Sequence, residues 1–284
     1  MKNAIEVRNL RKKYKDFQID NISFDVPSGY ICGFIGQNGA GKTTVLKLLL
    51  GITLNDGGDM KLLGKPYTDH KLRENLGVLF EHPHFQEEWT AIDVEKALRL
   101  FFPAWDSVTY QRYLHKFSIN PKQKLKKMSR GMKMRLGIAA TFAHDADLLL
   151  LDEPTIGLDP VARDEVLDIM REYMTKENKT IFFSTHITSD LEKIADYIIY
   201  IDNGRILFKG MKDELIEKYC LIRGGSEDLP PVKRESIIGL REHIGGFDGM
   251  IAIENLNGFP PAVITEAATL EDIMIYTARK GTKT

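Results

Sequence analysis

Eight consecutive residues, Gly36-Gln37-Asn38-Gly39-Ala40-Gly41-Lys42-Thr43, carry the spacing Gly-x4-Gly-Lys-Thr. Glycines in such a run let backbone N–H groups close around phosphate oxygens, and a helix starting at Lys42 would add its own bare amides. Lys42 is the candidate cation for the β and γ phosphates, and the Thr43 hydroxyl is a candidate Mg²⁺ ligand. Gly36, Asn38, Gly39, Ala40, Gly41 and Thr44 are the further candidate nucleotide contacts. A glycine-rich turn with a surface lysine is the plainer alternative, and the position between an apolar strand and a helix argues against it.

Two carboxylates follow an apolar run in Leu148-Leu149-Leu150-Leu151-Asp152-Glu153. Ligands of parallel sheets gather beyond the carboxyl ends of the strands, so these acids belong beside the phosphates. Asp152 suits Mg²⁺ and its water shell. Glu153 suits a general base, or the orienter of an attacking water, because in-line phosphoryl transfer depends mainly on positioning and charge stabilisation. As neighbours along a strand the two are expected to point to opposite faces. His186 stands just past a second apolar run, Thr180 to Phe183, and so falls on the same edge.

A sheet must bring these residues together. Tyr30 to Ile35, Gly77 to Phe80, Leu148 to Leu151 and Thr180 to Phe183 read as buried strands, spaced widely enough for helical crossovers and hence mainly parallel. Ala4 to Val7 and Phe17 to Val26 read as an antiparallel flap, and Lys42 to Leu50 as a helix closed by Gly51. Tyr197 to Ile201 and Arg205 to Phe208 flank Asn203-Gly204, the signal of a tight hairpin. From about 88 to 145 the pattern is helical: Thr90 and Asp93 are spaced as a capping box, with Val94, Ala97, Leu98 and Phe101 on one face. Tyr110, Tyr113, Leu114 and Phe117 repeat that spacing, as do Met132, Leu136, Ala139, Ala140 and Ala143. Glycine and proline pairs then punctuate short segments up to a final helix from Leu270 to Ala278.

The 284 residues are 43% hydrophobic, enough for a substantial core, and the net charge of −1 gives no overall field toward nucleic acid or anionic lipid. Cys32 and Cys220 have no metal-type spacing and suit a reduced compartment, which reads as cytosolic. The opening MKNAIEVRNLRKKY has no apolar signal-type stretch, and no run approaches the ~20 apolar residues of a membrane span.

Asp152-Glu153-Pro154-Thr155 continues into Gly157-Leu158-Asp159-Pro160, and with the phosphate loop before it and His186 after, the chain from about residue 4 to 210 resembles the ATP-binding cassette (ABC) ATPases. The resemblance implies an α/β, P-loop NTPase (RecA-like) core with an N-terminal antiparallel β flap, a helical insertion subdomain and a small C-terminal α+β appendage. Residues 1–220 would form the nucleotide-binding domain and 221–284 the accessory domain. ATP and Mg²⁺ are the implied cofactors. The implied partners are a separate transmembrane subunit and a second nucleotide-binding domain, copy or paralogue, with the chain peripheral on the inner face of the cell membrane.

Carried over by position, the family signature Leu-Ser-Gly-Gly-Gln falls on Met128-Ser129-Arg130-Gly131-Met132. Ser129 and Gly131 are kept and would face the γ-phosphate on the opposite subunit, together with Asp159 as a nucleotide contact; Arg130 and Met132 depart. Ser129 can also cap the helix that follows. His186 matches the switch histidine at the γ-phosphate and catalytic water. Where the family's switch loop usually has a glutamine near Mg²⁺, Glu81 stands, a carboxylate able to ligate the same ion, with Gln86 as the alternative. Tyr14 matches the aromatic that stacks on adenine. Thr269-Leu270-Glu271-Asp272-Ile273-Met274 resembles the ending of bacterial exporter ATPases, the antimicrobial-peptide and phenol-soluble-modulin exporters among them, and implies export.

Other functions have weaker footing. Lys122, Lys124, Lys126, Lys127, Arg130, Lys133 and Arg135 form a basic cluster, but no aromatic is interleaved for base stacking, so a solvated face is expected and no nucleic-acid partner. Chromosome-type cassettes carry long coiled coils between phosphate loop and signature, and ribosome-type ones carry two cassettes; neither occurs here. A regulator without turnover would not need both Glu153 and His186.

Overall fold

A computed structural model of the chain describes residues 2–280, which divide into two compact units, one up to Lys209 and one from Gly210. The first begins with β1 (Asn3–Lys13) and β2 (Gln18–Pro27), paired antiparallel as the alternation predicts, with Ile5 opposite Val26 and Val7 opposite Phe24. β3 (Ile31–Ile35) leads through the phosphate loop into α1 (Lys42–Leu49). β4 (Gly57–Leu62) and β5 (Lys65–Pro66) then extend the flap, giving the order β2-β1-β4-β5. Sequence reading had not placed these two strands, because Gly57-Gly58 masks the only periodicity there. Phe24 from the flap meets Phe34 and Phe182 at ring separations of 6.0 and 6.2 Å, which seats the flap on the central sheet.

β6 (Leu76–Leu79) is followed by the helical insertion: α2 (Ala91–Leu98), α3 (Ser107–Lys116) and α4 (Arg130–Ala143). The Thr90–Asp93 capping box forms in full and starts α2. Phe101 does not join the buried face expected of it. The helix ends at Leu98, and the ring is 71% exposed in the turn beyond. Tyr110, Tyr113, Leu114 and Phe117 are all buried, and Tyr110 also donates to the Ala91 carbonyl, tying α3 to α2.

The unit closes with β7 (Leu148–Asp152), α5 (Pro160–Met174), β8 (Thr180–Thr185), α6 (Thr188–Ile194), β9 (Tyr197–Asp202) and β10 (Arg205–Met211). The central sheet has the order β10-β9-β3-β8-β7-β6, with β3, β6, β7, β8 and β9 parallel. Every residue of β3, β7 and β8 is buried, as a sheet covered on both faces requires. Its register aligns Ile35 with Thr185 and Asp152 with Ser184, so three neighbouring strands release their chains at one edge. Asn203 and Gly204 turn β9 into β10 with φ of 44° and 72°, and Gly204 N–H donates to the Ala40 carbonyl, bracing the phosphate loop.

The second unit holds α7 (Lys212–Glu217), β11 (Tyr219–Gly224), β12 (Ile238–His243), β13 (Gly246–Ala252), β14 (Ile264–Ala267) and α8 (Leu270–Lys280). Its antiparallel sheet runs β12-β13-β11-β14 over a small core around Ile222, Phe247 and Ile251. The division lies near 210 and not at 220, because β11 is the strand on which β13 and β14 pair. No helix among the described residues is long and apolar enough to cross a membrane.

Candidate active site

The phosphate loop owes its path to glycine at two kinds of position. Gly39 and Gly41 have φ of 83° and 112°, which other L residues rarely adopt, and a Cβ on Gly36 would lie 2.4 Å from the Ile201 carbonyl oxygen. Gly41 is the residue before α1 and offers no side-chain cap, so the first amides of the helix remain for an anion. Asn38 and Gly39 are exposed at the crest, Ala40 is buried beneath it, and Thr44 is half-buried on the first turn.

Lys42 is buried, and its Nζ donates to the carbonyls of Gly36 at 2.7 Å and Gln37 at 3.2 Å, and stands 3.2 Å from Glu153 Oε1. The adjacent Thr43 Oγ1 donates to Asp152 Oδ2 at 2.8 Å. Consecutive residues of α1 therefore each take one of the two acids. The acids diverge by a different route from the pleat expected of them. β7 ends at Asp152, and Glu153 lies beyond it in left-handed backbone with φ of 50°, a conformation that costs a non-glycine residue about 1 kcal/mol or more. Two bonds hold that turn: Glu153 N–H lies 3.1 Å from both the Ser184 carbonyl oxygen and Ser184 Oγ. Ser184 Oγ also donates to Asp152 Oδ1 at 2.5 Å. Ser184 is the residue that sequence reading missed. Its only signal was a hydroxyl at the end of a strand between phosphate loop and acids.

Burial pushes the Asp152 carboxyl above the ordinary aspartate range, and the Glu153 charge adds to this, while the bonds from Ser184 and Thr43 and the charge of Lys42 oppose it. A divalent cation would relieve that burial. Among the described residues no group of three or more His, Cys, Asp or Glu side chains could hold a metal alone. A hydroxyl and a carboxylate at 2.8 Å instead fit Mg²⁺ arriving with phosphate oxygens. His186, from the turn after β8, completes the group with Nδ1 2.9 Å from Glu153 Oε2. Beneath it, buried Asp190 on α6 accepts from Thr155 Oγ1 at 2.6 Å and from Arg163 on α5, joining the segment after Glu153 to the helix after His186.

A second group forms at α4. Ser129 caps it, accepting from Met132 N–H at 3.2 Å, and Gly131 lies against Gly157 and Leu158, in the loop that ends at Asp159. Asp159 caps α5, accepting from Val161 and Ala162, and those backbone bonds, with Arg135 nearby, hold its carboxyl below the usual range. Glu81 takes no part in the hydrogen bonds of Thr43 and Asp152; its Oε1 accepts from Arg130 Nη2 at 2.7 Å. The basic cluster is partly paired within the chain: Lys124 and Lys126 share Glu88, Lys133 meets Glu87, Arg135 meets Asp159 and Arg130 meets Glu81. Tyr14 is 42% exposed in a shallow depression lined by Lys13, Phe17, Gln18 and Asn203. Phe17 beside it packs on Gly41, which ties this surface to the phosphate loop.

Comparison with known proteins identifies the family. A family model described as "ABC transporter" matches residues 19–156. The chain is 34% identical to the lantibiotic transport ATP-binding protein SrtF of Streptococcus pyogenes, over 82% of this chain and 97% of that one. It is also 34% identical to the bacitracin transport ATP-binding protein BcrA of Enterococcus faecalis, over 73% and 69%. A solved ATP-binding subunit of an ABC transporter superposes with a TM-score of 0.68 at 28% identity, covering 75% of this chain and 91% of that one.

Proposed function

The chain belongs to the ABC transporter ATP-binding proteins and is an ATPase of that family, and we propose that it binds ATP with Mg²⁺ to drive export through a separate transmembrane subunit. The observation that carries the reading is the joined set Lys42, Thr43, Asp152, Glu153 and His186 at one sheet edge. Lys42 and the amides of the loop would hold the phosphates, and Tyr14 would stack on the base. Thr43 and Asp152, with Glu81 as a further acid, would hold Mg²⁺, which when bound neutralises phosphate charge. Glu153 would take the proton of the attacking water, and His186, hydrogen-bonded to it, would keep that carboxylate aimed and meet the γ-phosphate. Ser129, Gly131 and Asp159 form a separate group with its own contacts. This supports a head-to-tail pair in which they complete the site of a second cassette.

Export is supported by the named roles of the relatives in lantibiotic and bacitracin transport. For the membrane partner we propose the apolar groove of about 460 Å³ between core and helical insertion, lined among others by Leu72, Val78, Phe85, Leu98 and Phe102. Phe85 lies in the segment that also carries Glu81, so an occupant of the groove would contact the segment of the candidate metal acid. The test is Mg²⁺-dependent phosphate release by the chain co-purified with its membrane subunit. Release absent, or unchanged in Lys42→Ala, would refute the reading. Leu98→Lys is expected to abolish co-purification while the isolated chain still binds ATP; retained co-purification would move the partner elsewhere.

A further inference from the structure

Two departures from the family pattern meet in space. Glu81 stands where a glutamine is usual and Arg130 where a glycine is usual, and the two form one ion pair at 2.7 Å. The segments that carry them are joined independently of that pair. Lys133 reaches Glu87, Lys124 and Lys126 reach Glu88, and the backbone N–H groups of Leu125 and Lys126 donate to the carbonyls of Trp89 and Glu87. Glu81 and Arg130 are themselves 36% and 55% exposed. The Glu81–Arg130 pair can therefore open while the two segments stay strapped together.

We propose that Arg130 is a positioning residue for Glu81 and competes with Mg²⁺ for its carboxylate, so that the strength of this pair sets the Mg²⁺ demand of the nucleotide site. The proposal rests on the reading of Glu81 as a metal acid. The chemistry is an exchange of cations: a guanidinium on Glu81 Oε1 neutralises the charge that would attract a divalent ion, and two cations on one carboxylate repel each other. When Glu81 turns to the metal, Arg130 is left without its counter-ion at the start of α4, between Ser129 and Gly131. Metal loading would thereby add positive charge to the surface proposed to meet the second cassette. An exposed pair of this kind shifts an equilibrium by up to about fivefold, which bounds the effect.

The test follows a fluorescent ATP analogue on the full chain as Mg²⁺ is titrated. Arg130→Met should lower the Mg²⁺ midpoint by up to about fivefold, and Arg130→Lys, which keeps a charge without the planar fork, should fall between. Glu81→Gln should raise the midpoint and cancel the effect of Arg130→Met added to it. A midpoint unmoved by Arg130→Met, or moved equally with Glu81→Gln present, overturns the proposal. An analogue that binds Lys42→Ala as well as the parent chain would instead overturn the ATP site itself, so the two failures are distinguishable.

Discussion

Glu153→Gln removes one charge from a carboxylate that is 5% exposed and serves two partners, Lys42 Nζ at 3.2 Å and His186 Nδ1 at 2.9 Å. Glutamine is close in shape, but its amide NH₂ cannot accept a hydrogen bond. Lys42 keeps the carbonyls of Gly36 and Gln37 and loses its counter-ion. Breaking a buried pair outright costs about 3–5 kcal/mol, and the retained bonds reduce this to about 1–2 kcal/mol, near the worth of one hydrogen bond to a charged group. At about 2–4 °C per kcal/mol for a domain of this size, the nucleotide-free variant melts about 2–8 °C lower. ATP returns a negative partner to Lys42, so the same 1–2 kcal/mol reappears as about 5- to 30-fold tighter binding. Turnover loses the proposed base and is expected to fall by about 10² to 10⁴. Melting curves with and without nucleotide, calorimetric ATP titration and phosphate release measure the three effects. Release near the parent rate would refute Glu153 as base, and weaker ATP binding would refute the charge argument at Lys42.

Lys42→Ala removes the lysine cation paired with Glu153 and is expected to abolish measurable ATP binding by calorimetry, unchanged affinity being the contrary result. Asp152 sets a pH dependence: its folded-state carboxyl binds a proton more readily than the unfolded one, so stability falls as pH rises from the ordinary aspartate range through the raised value. On acidification Mg²⁺-dependent ATP binding should weaken at a higher pH than an ordinary aspartate would set, and Asp152→Asn should remove that dependence along with most of the Mg²⁺ effect. Ser129→Ala removes the cap of α4, costing about 1 kcal/mol of stability, and in a Glu153→Gln background should prevent the proposed ATP-dependent dimer from forming, as size-exclusion chromatography would register. Tyr14→Ala should weaken ATP binding by about five- to tenfold, the lower end of base-stacking energies, whereas Tyr14→Phe should preserve it.

Local chemistry made part of this protein legible in one dimension. The phosphate loop, the Thr90–Asp93 capping box, the Asn203-Gly204 turn and the cap at Ser129 each depend on residues within a few positions of one another, and each forms as its spacing predicts. The all-apolar runs of β3, β7 and β8 likewise announced a sheet buried on both faces. What no spacing contains is which hydroxyl or cation lies across from a given acid. Ser184 reaches Asp152 through the parallel register of β7 and β8, and Arg130 reaches Glu81 only once α4 packs beside the segment after β6. The left-handed turn at Glu153, held from Ser184, belongs to the same class, as does the end of α2 that leaves Phe101 in solvent. Sequence alone determined the types of group available and their local geometry, because hydrogen bonds within a turn or cap are set by adjacent dihedral angles. Tertiary structure alone decided their partners, because pairing across strands and helices depends on burial and register summed over the whole sheet.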